Sequence, residues 1–359
     1  MRLTENIHRE KSHTPTSIKL FNIRLKPVLG TFIKTIYIVL PVLFSSCDKA
    51  EDKTCTESHI PLTICFPDCT KAGTCTRLDI FSFDDDRLQN LDSYQRSENP
   101  ADDRIGIRSQ SGNKIIFVCA NSGRDIYAWT EINSFKALDN IEMKLEDERR
   151  GNLIMTGVGY AEAGQPGSCN IDISPLASEI CLRSLACDFS SAGQEKQLKD
   201  IRIYLTNVSA RCSLTSDDIY RPIEIMNHGK LDEDALNGMK EPDILLQEIH
   251  TPVGKNPHMA DVRLLCYPNS CTSEGPGTPF TRLVIEGQID GRTYWWPINI
   301  NRGKGIKDPG IHRNCRYVYD IILKRKGNTD PDMAVETEQT DINLEIKQWK
   351  EKDNYSVSF

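Results

Sequence analysis

Short apolar runs of strand length recur along the chain, and this feature limits the fold more than any other. Residues 60–66 alternate apolar with other side chains at a period of two, the pattern of a half-buried strand. This recurrence predicts a mainly β chain built of antiparallel β-sandwiches. The other strand-like runs lie at 78–83, 114–120, 153–160, 171–173, 180–186, 201–205, 262–267, 282–289, 292–301, 316–326 and 342–346.

Local patterns refine this prediction. Asp290-Gly291 lies between two strong strand runs and is a two-residue hairpin signal, because both residues adopt positive φ at little cost. Residues 133–150 carry apolar side chains at three- and four-residue steps and are followed by Gly151, so we expect a helix there. A second, short helix is predicted at 231–239, and residues 354–359 predict a short last strand.

Length and polarity predict two domains. The 313 residues that follow residue 46 are too many for one small core. A polar segment near 190–196 then divides the chain into an N-terminal sandwich at 58–192 and a C-terminal sandwich at 197–359. The polar, weakly periodic residues 213–255 read as a loop insertion in the second sandwich.

An export signal occupies the N-terminus. Basic residues precede the apolar run 36–44, which is shorter than the roughly 20 residues of a membrane-spanning helix and is typical of a signal-peptide core. Residues 43–47 (LFSSC) resemble a bacterial lipobox, whose cysteine receives acyl chains such as palmitate and becomes residue one. We therefore expect a lipoprotein signal peptide at 1–46, a lipid on Cys47 in the outer membrane and a tether at 47–57. The alternative is an ordinary secretory signal that contains Cys47.

The charge of the exported chain excludes nucleic acid as a partner. Residues 1–46 hold seven of the 44 Lys and Arg and two of the 51 Asp and Glu, which leaves 37 basic against 49 acidic side chains, net −12. Such a surface repels nucleic acid and anionic lipid.

Twelve cysteines remain besides Cys47, and an exported chain permits disulfides. Cys266 and Cys271 are the best local pair, because the Pro-Asn between them favours a turn. The cluster at positions 65, 69 and 75 lacks both the paired short spacings of a zinc site and a nearby histidine. Disulfides or buried thiols, with no metal, are the expected state.

Catalytic constellations are missing from the sequence. Neither Gly-x-Ser-x-Gly nor a phosphate-binding loop occurs, and the exported histidines are scattered: His59, His228, His250, His258 and His312. Gly157 and Gly159 lie inside a strand pattern, where close packing or a bulge explains them better than phosphate binding. We expect no enzyme activity and no cofactor. An enzyme would need a cleft that joins distant carboxylates such as Asp261 and Glu286.

Trp295 and Trp296 raise a different function. Neighbours in a strand point to opposite faces, so one indole is expected in the core and only the other can be exposed. An exposed indole stacks well on a sugar. The alternative function is therefore a carbohydrate-binding surface lipoprotein of a glycan uptake system.

A series of loose motifs, in fixed order, covers nearly all of the exported chain. With the lipobox, the series resembles the fimbrillins, subunits of the type V pilus of Bacteroidales, including its lipidated anchor and accessory proteins. The many cysteines and the 213–255 insertion depart from ordinary stalk subunits. The motifs are 77–86 (RLDIFSFDDD), 154–157 (IMTG), 183–186 (RSLA), 265–269 (LCYPN), 281–287 (TRLVIEG), 294–298 (YWWPI), 311–317 (IHRNCRY) and 342–349 (INLEIKQW).

The resemblance implies two tandem antiparallel β-sandwiches of transthyretin-like, Greek-key type, assembled with other fimbrial subunits by strand exchange. One subunit's terminal strand fills a groove in its neighbour, which is β-augmentation. In polymerising relatives a trypsin-like protease removes the first strand; here that strand is 60–66, and Lys71 or Arg77 precedes the cut. The alternative is that both are plain surface residues. An anchor subunit would keep the strand and its lipid.

The resemblance also implies a location and a role. The acidic residues Asp48, Glu51 and Asp52 resemble the surface-export signals of such lipoproteins. We therefore expect a lipid-anchored protein of the outer cell surface that belongs to a fimbrium and supports adhesion to a host or bacterial surface receptor.

Overall fold

The computed structural model describes residues 57–65, 75–100, 104–164, 168–189, 196–215, 222–303, 306–335, 340–348 and 355–358. The predicted signal peptide, Cys47, most of the tether and Lys71 lie outside the described residues. Among the residues described, no helix is both long enough and apolar enough to span a membrane.

Eight of the nine described strands between residues 57 and 175, all except β6, form a first sheet pair. One sheet has the order β4-β1-β8 and the other the order β3-β2-β5-β7-β9. The sheets pack face to face through β7 and β8, and Leu62, Ile80 and Val118 are buried. The strands are β1 (Glu57–Cys65), β2 (Arg77–Asp84), β3 (Leu91–Glu98), β4 (Arg104–Gln110), β5 (Gly112–Ala120), β6 (Glu142–Lys144), β7 (Met155–Ala163), β8 (Cys169–Asp172) and β9 (Ser174–Pro175).

Nine of the twelve described strands that follow form a second sheet pair, ordered β16-β10-β19-β20-β21 and β15-β11-β17-β18. The elements of this part of the chain are β10 (Ser178–Cys187), β11 (Lys199–Thr206), β12 (Val208–Ser209), β13 (Arg211–Ser213), β14 (Ile225–Met226), α1 (Glu233–Asn237), β15 (Leu246–Ile249), β16 (His258–Cys266), β17 (Arg282–Ile289), β18 (Arg292–Asn299), β19 (Cys315–Leu323), β20 (Thr340–Gln348) and β21 (Tyr355–Ser358). In addition β12 pairs with β14, and β13 pairs with β6.

The fold is mainly β and mostly antiparallel, as predicted. Two pairs of strands are parallel, β1 with β8 and β10 with β19. Strand β10 falls within the range predicted for the N-terminal sandwich, yet it pairs with β16 and β19 of the second sheet pair. The hairpin prediction is confirmed, because Asp290 and Gly291 join β17 to β18 with φ of 53° and 74°.

The helix predicted at 133–150 is wrong. Two 3-10 helices, Phe135–Asn140 and Leu145–Asp147, flank β6, which must be extended because it pairs with β13. Apolar residues at three-residue steps suit a 3-10 helix as well as an α-helix. The segment covers the outer face of the five-stranded sheet, where the ring of Phe135 lies 6.4 Å from that of Phe117. The short helix predicted at 231–239 is confirmed by α1.

Candidate functional site around strand β1

Strand β1 lies in the middle of its sheet and is paired on both sides. It runs antiparallel to β4, with Ile60 opposite Ile107 and Leu62 opposite Ile105. It runs parallel to β8, with Leu62 opposite Cys169. The observed strand, Glu57–Cys65, covers the strand predicted at 60–66 as far as residue 65. Loss of β1 would therefore leave unpaired backbone groups on two neighbours at once.

Side chains of β1 alternate between core and solvent. Ile60 and Leu62 are 3% and 1% exposed, whereas His59 and Pro61 are exposed. Proline lacks the N–H that a central strand needs. Pairing with β8 begins only at Leu62, so Pro61 has a strand neighbour on one side alone. The position is one where a proline is tolerated.

Strand β4 has a second support besides β1. The Ser93 hydroxyl of β3 donates to the Arg108 carbonyl oxygen at 2.5 Å, and the Gln110 N–H donates to Asp92 Oδ2 at 2.9 Å. These bonds fasten the edge of one sheet to the edge of the other. The β4 wall of the site does not depend on β1 alone.

A buried lysine stabilises the same corner. Lys114 is 1% exposed, and its Nζ lies 2.5 Å from Asp84 Oδ1 and 3.0 Å from Asp92 Oδ2. Burial alone would raise the pKa of Asp92, but hydrogen bonds from Ser109 and Lys114 outweigh burial and lower it. Burial likewise acts to lower the pKa of Lys114, and the two carboxylates raise it. This group was not predicted from the sequence, although a lysine that opens an apolar strand opposite an acidic turn is a signal for it.

Strand β8, the other wall, lies directly against β7. A Cβ on Gly157 would overlap the Asp172 carbonyl oxygen, and a Cβ on Gly159 would come within 2.7 Å of Cys169 Sγ and of the Ile171 side chain. The interpretation of these glycines as close-packing positions is confirmed. Because these two positions carry no side chain, β8 can lie close against β7, where it forms one wall of the site.

The candidate cut sites differ in their surroundings. Arg77 is the first residue of β2; its Nε donates to Glu98 at 3.0 Å and its Nη1 to the Arg124 carbonyl oxygen at 3.2 Å. The Arg77 carbonyl oxygen accepts the Asn121 N–H. Lys71 lies outside the described residues, between β1 and β2 in the chain. The bond after Arg77 is therefore held in a sheet, which a protease binds poorly.

The structure places the two cysteines of the best local pair without a bridge between them. Cys266 and Cys271 are both thiols. Cys266 ends β16 with its side chain fully buried, while Cys271 Sγ donates to Asn269 Oδ1 at 2.8 Å and lies 3.8 Å from Arg302 Nη2. Burial raises the pKa of both thiols. The turn between them directs the two sulfurs into different surroundings.

The two tryptophans lie on opposite faces of β18, as predicted. Trp296 is fully buried and donates to the Arg325 carbonyl oxygen at 3.1 Å. Trp295 is half-buried and donates to Glu286 Oε2 at 2.9 Å. Only Trp295 reaches the surface, and it does so as a half-buried indole whose N–H is already bonded to Glu286.

The carboxylates considered for an enzyme are each bound to a nearby arginine. Glu286 accepts Arg202 Nη2 at 2.6 Å and the Tyr204 hydroxyl at 3.0 Å. Asp261 pairs with Arg263 at 3.1 Å. Both carboxylates therefore take part in ion pairs and hydrogen bonds within the second sheet pair.

Comparison with known proteins finds likeness in structure. No protein-family model and no curated protein matches the sequence. A candidate cell adhesion protein from Bacteroides eggerthii gives a TM-score of 0.59 at 14% identity, over 83% of this chain and 98% of that one. A fimbrilin, FimA, from Porphyromonas gingivalis gives 0.56 at 13% identity, over 82% and 98%. The tip fimbrial protein Mfa3 from Porphyromonas gingivalis, truncated at its C-terminus, gives 0.50 at 12% identity, over 81% and 100%.

The sheets thus define a β-sandwich fold, which this chain shares with these fimbrial and cell adhesion proteins. More particularly, the chain has the fold of the Bacteroidales fimbrilins, which confirms the resemblance drawn from the sequence motifs. None of the three similar structures is described as an enzyme.

Proposed function

We propose that this chain is a non-enzymatic lipoprotein of the cell surface that serves as a subunit, or as a minor or anchor component, of a fimbrium and supports adhesion. The fold likeness to a fimbrilin and to a tip fimbrial protein supports the fimbrial role. The observation that carries the proposal is the position of β1, the first described strand, between β4 and β8.

Strand exchange would take place at this position. Removal of β1 opens a groove whose walls have their own supports: β4 through Ser93 and Asp92, and β8 through Gly157 and Gly159. An incoming strand must run antiparallel to β4 and parallel to β8 to reproduce the register of β1. It must also carry apolar side chains two residues apart, in the places of Ile60 and Leu62.

We infer that processing, where it occurs, follows Lys71. A protease needs several residues of extended, accessible chain on both sides of the cut, and the bonded sheet around Arg77 denies this. Cleavage after Lys71 would detach β1 together with the lipid on Cys47. A component that keeps both stays anchored in the outer membrane and fixes the base of the fibre.

The test isolates the protein from its cells and determines the N-terminus and acylation by mass spectrometry, for the wild type, Lys71→Gln and Arg77→Gln. A start at residue 72, abolished only in Lys71→Gln, identifies a polymerising subunit. An acylated Cys47 with β1 intact, in high-mass assemblies, identifies an anchor. A soluble monomer that is uncut and carries no fatty acid would sink the proposal.

A further inference from the structure

A polar junction joins the two sheet pairs. Residues 147–152 lie between β6 and β7 of the first pair and bind the second pair. Arg149 pairs with Glu241 at 3.9 Å, and Arg150 Nη1 lies 3.2 Å from the Asp243 carboxylate. Arg150 Nη2 also donates to the Arg263 carbonyl oxygen on β16 at 3.0 Å. We call this contact the junction.

At the centre of the junction is a carboxyl group with no counter-charge in contact. Glu148 is fully buried, and its Oε2 accepts the Ile154 N–H at 3.0 Å. Among the described residues, neither its Oε1 nor the hydroxyl of Tyr267, which is also fully buried, makes a hydrogen bond of normal geometry, but the two groups face each other closely enough to interact. Tyr267 directly follows β16, so these two unsatisfied groups come from the two sides of the junction.

The ionisable groups around Glu148 do not stabilise its anion well. Burial raises the pKa of Glu148 to about 8, and the Ile154 N–H, the Tyr267 hydroxyl and Arg149 oppose that rise only in part. Asp147 adds to the rise. Two thiols lie nearby: Cys119 of β5 faces Glu148, and Cys212 of β13 faces Tyr267. Burial raises the pKa of the Cys119 thiol, and Arg124 and Arg313 act on it only as charges that lower that pKa.

Protonation of Glu148 supplies a hydrogen-bond donor to the junction and removes a buried charge from it. With the proton on Oε1, the carboxyl offers one O–H donor, and the Tyr267 oxygen is an acceptor that faces it. The ionised carboxylate leaves a buried charge that none of its neighbours pairs directly, which costs far more than a buried neutral group.

We propose that the junction is a proton-operated joint: protonated Glu148 holds the two sheet pairs together, and its ionisation loosens the contact between residues 147–152 and β16. The group is an acid that titrates higher in the folded chain than in the unfolded chain. Its contribution to the free energy of unfolding is complete below the pKa of the unfolded chain, about 4.3. This contribution is lost as the pH rises through the pKa of the folded chain, about 8. The joint therefore closes in acid and loosens in mild alkali.

Urea unfolding of the whole protein at pH 6 and pH 9 tests this joint. Relative to Glu148→Gln, which cannot titrate, the unfolding equilibrium constant of the wild type should rise about a hundredfold between the two values. Glu131→Gln, an exposed glutamate in the first sheet pair, is the matched control and should follow the wild type. A Glu148→Gln variant with the same pH dependence as the wild type overturns the proposal.

Two further measurements do not depend on the stability of that variant. The carbon-13 resonance of the Glu148 carboxyl in the wild type should titrate near pH 8, and a midpoint below 6 overturns the proposal. Hydrogen exchange at the Ile154 amide, corrected for intrinsic pH effects, should accelerate above the same midpoint. Tyr267→Phe removes a group that favours the anion, so it should move the midpoint to higher pH; a downward shift would contradict the assigned contact.

Discussion

Gly157 of β7 lies directly beneath the carbonyl oxygen of Asp172 on β8, with no room for a Cβ between them. This contact sets the spacing of the first sheet pair next to the site of β1. Backbone atoms form the obstacle, so a side chain at residue 157 can be accommodated only if β8 moves.

Gly157→Ala is expected to destabilise the protein by about 1–3 kcal/mol, the usual cost of overpacking a closely packed interior. Gly106→Ala on β4 is the matched control, because no atom lies within 4 Å of the place of its Cβ. Urea unfolding of both variants measures the difference. Equal stability of the two would mean that β8 does not press on β7.

The buried lysine makes a second prediction. Lys114→Met leaves Asp92 buried without its cation, and we expect a loss of about 3–5 kcal/mol at neutral pH. The pKa of Asp92 is lower in the folded chain than in the unfolded chain. Its contribution to stability is therefore present above the pKa of the unfolded chain and is lost as the pH falls through the pKa of the folded chain. The gap between variant and wild type should shrink in acid. Lys144→Met removes an exposed lysine that also pairs with a carboxylate, Glu146, and should change nothing measurable.

Unfolding curves at pH 7 and about pH 3 test the Lys114 prediction in both respects. A deficit of the Lys114→Met variant that stays constant over this range would assign the effect to packing of the lysine stem instead of its charge.

The neighbouring tryptophans should differ sharply in stability. Trp296→Ala empties a fully buried site and is expected to cost about 3–5 kcal/mol. Trp295→Ala removes one donor to Glu286, which keeps Arg202 and Tyr204, and should cost about 1 kcal/mol. Thermal or urea unfolding measures both. Loss of binding to soluble glycans in Trp295→Ala alone would revive the carbohydrate-binding alternative.

The parts of the fold that the sequence predicted correctly are those that depend on residues close together in the chain. Period-two alternation and the Asp290-Gly291 turn are properties of neighbouring residues, and β1, β17 and β18 form where they indicate. The helix at 133–150 fails because β6 takes its hydrogen bonds from β13, about 70 residues along the chain, and no local signal announces that partner. The resemblance to the fimbrillins was predicted from the order of many motifs along the chain, each of them weak.

The chemistry of the candidate site was less predictable for the same reason. Lys114 stands at the head of an apolar run, and its partner Asp92 lies in a strand with no strong pattern. Glu148 lies within the range predicted as a helix, but in the structure it directly follows the 3-10 helix Leu145–Asp147. Its burial next to Tyr267, about 120 residues along the chain, is a property of the tertiary structure that local sequence does not signal. The candidate pair Cys266 and Cys271 rests on turn chemistry, which sets the direction of the chain but not the direction of each sulfur.

The last prediction concerns how readily β1 leaves its site. Leu62 is 1% exposed and points into the core, whereas Pro61 beside it faces solvent. Leu62→Ala should weaken the attachment of β1 by about 2–5 kcal/mol. Pro61→Ala, on the same strand but on its outer face, should leave the attachment unchanged. The readout is capture of a labelled synthetic peptide with the sequence of β1, ESHIPLTIC.

Because the peptide competes with the resident strand, Leu62→Ala should take it up at least tenfold faster than either the wild type or Pro61→Ala. A peptide with aspartate in the place of Leu62 should fail to bind all three, since its charged side chain would enter an apolar site. Equal uptake by the two variants would show that exchange is not governed by the core-facing side chains of β1, and the groove between β4 and β8 would then not be the place where strands are exchanged.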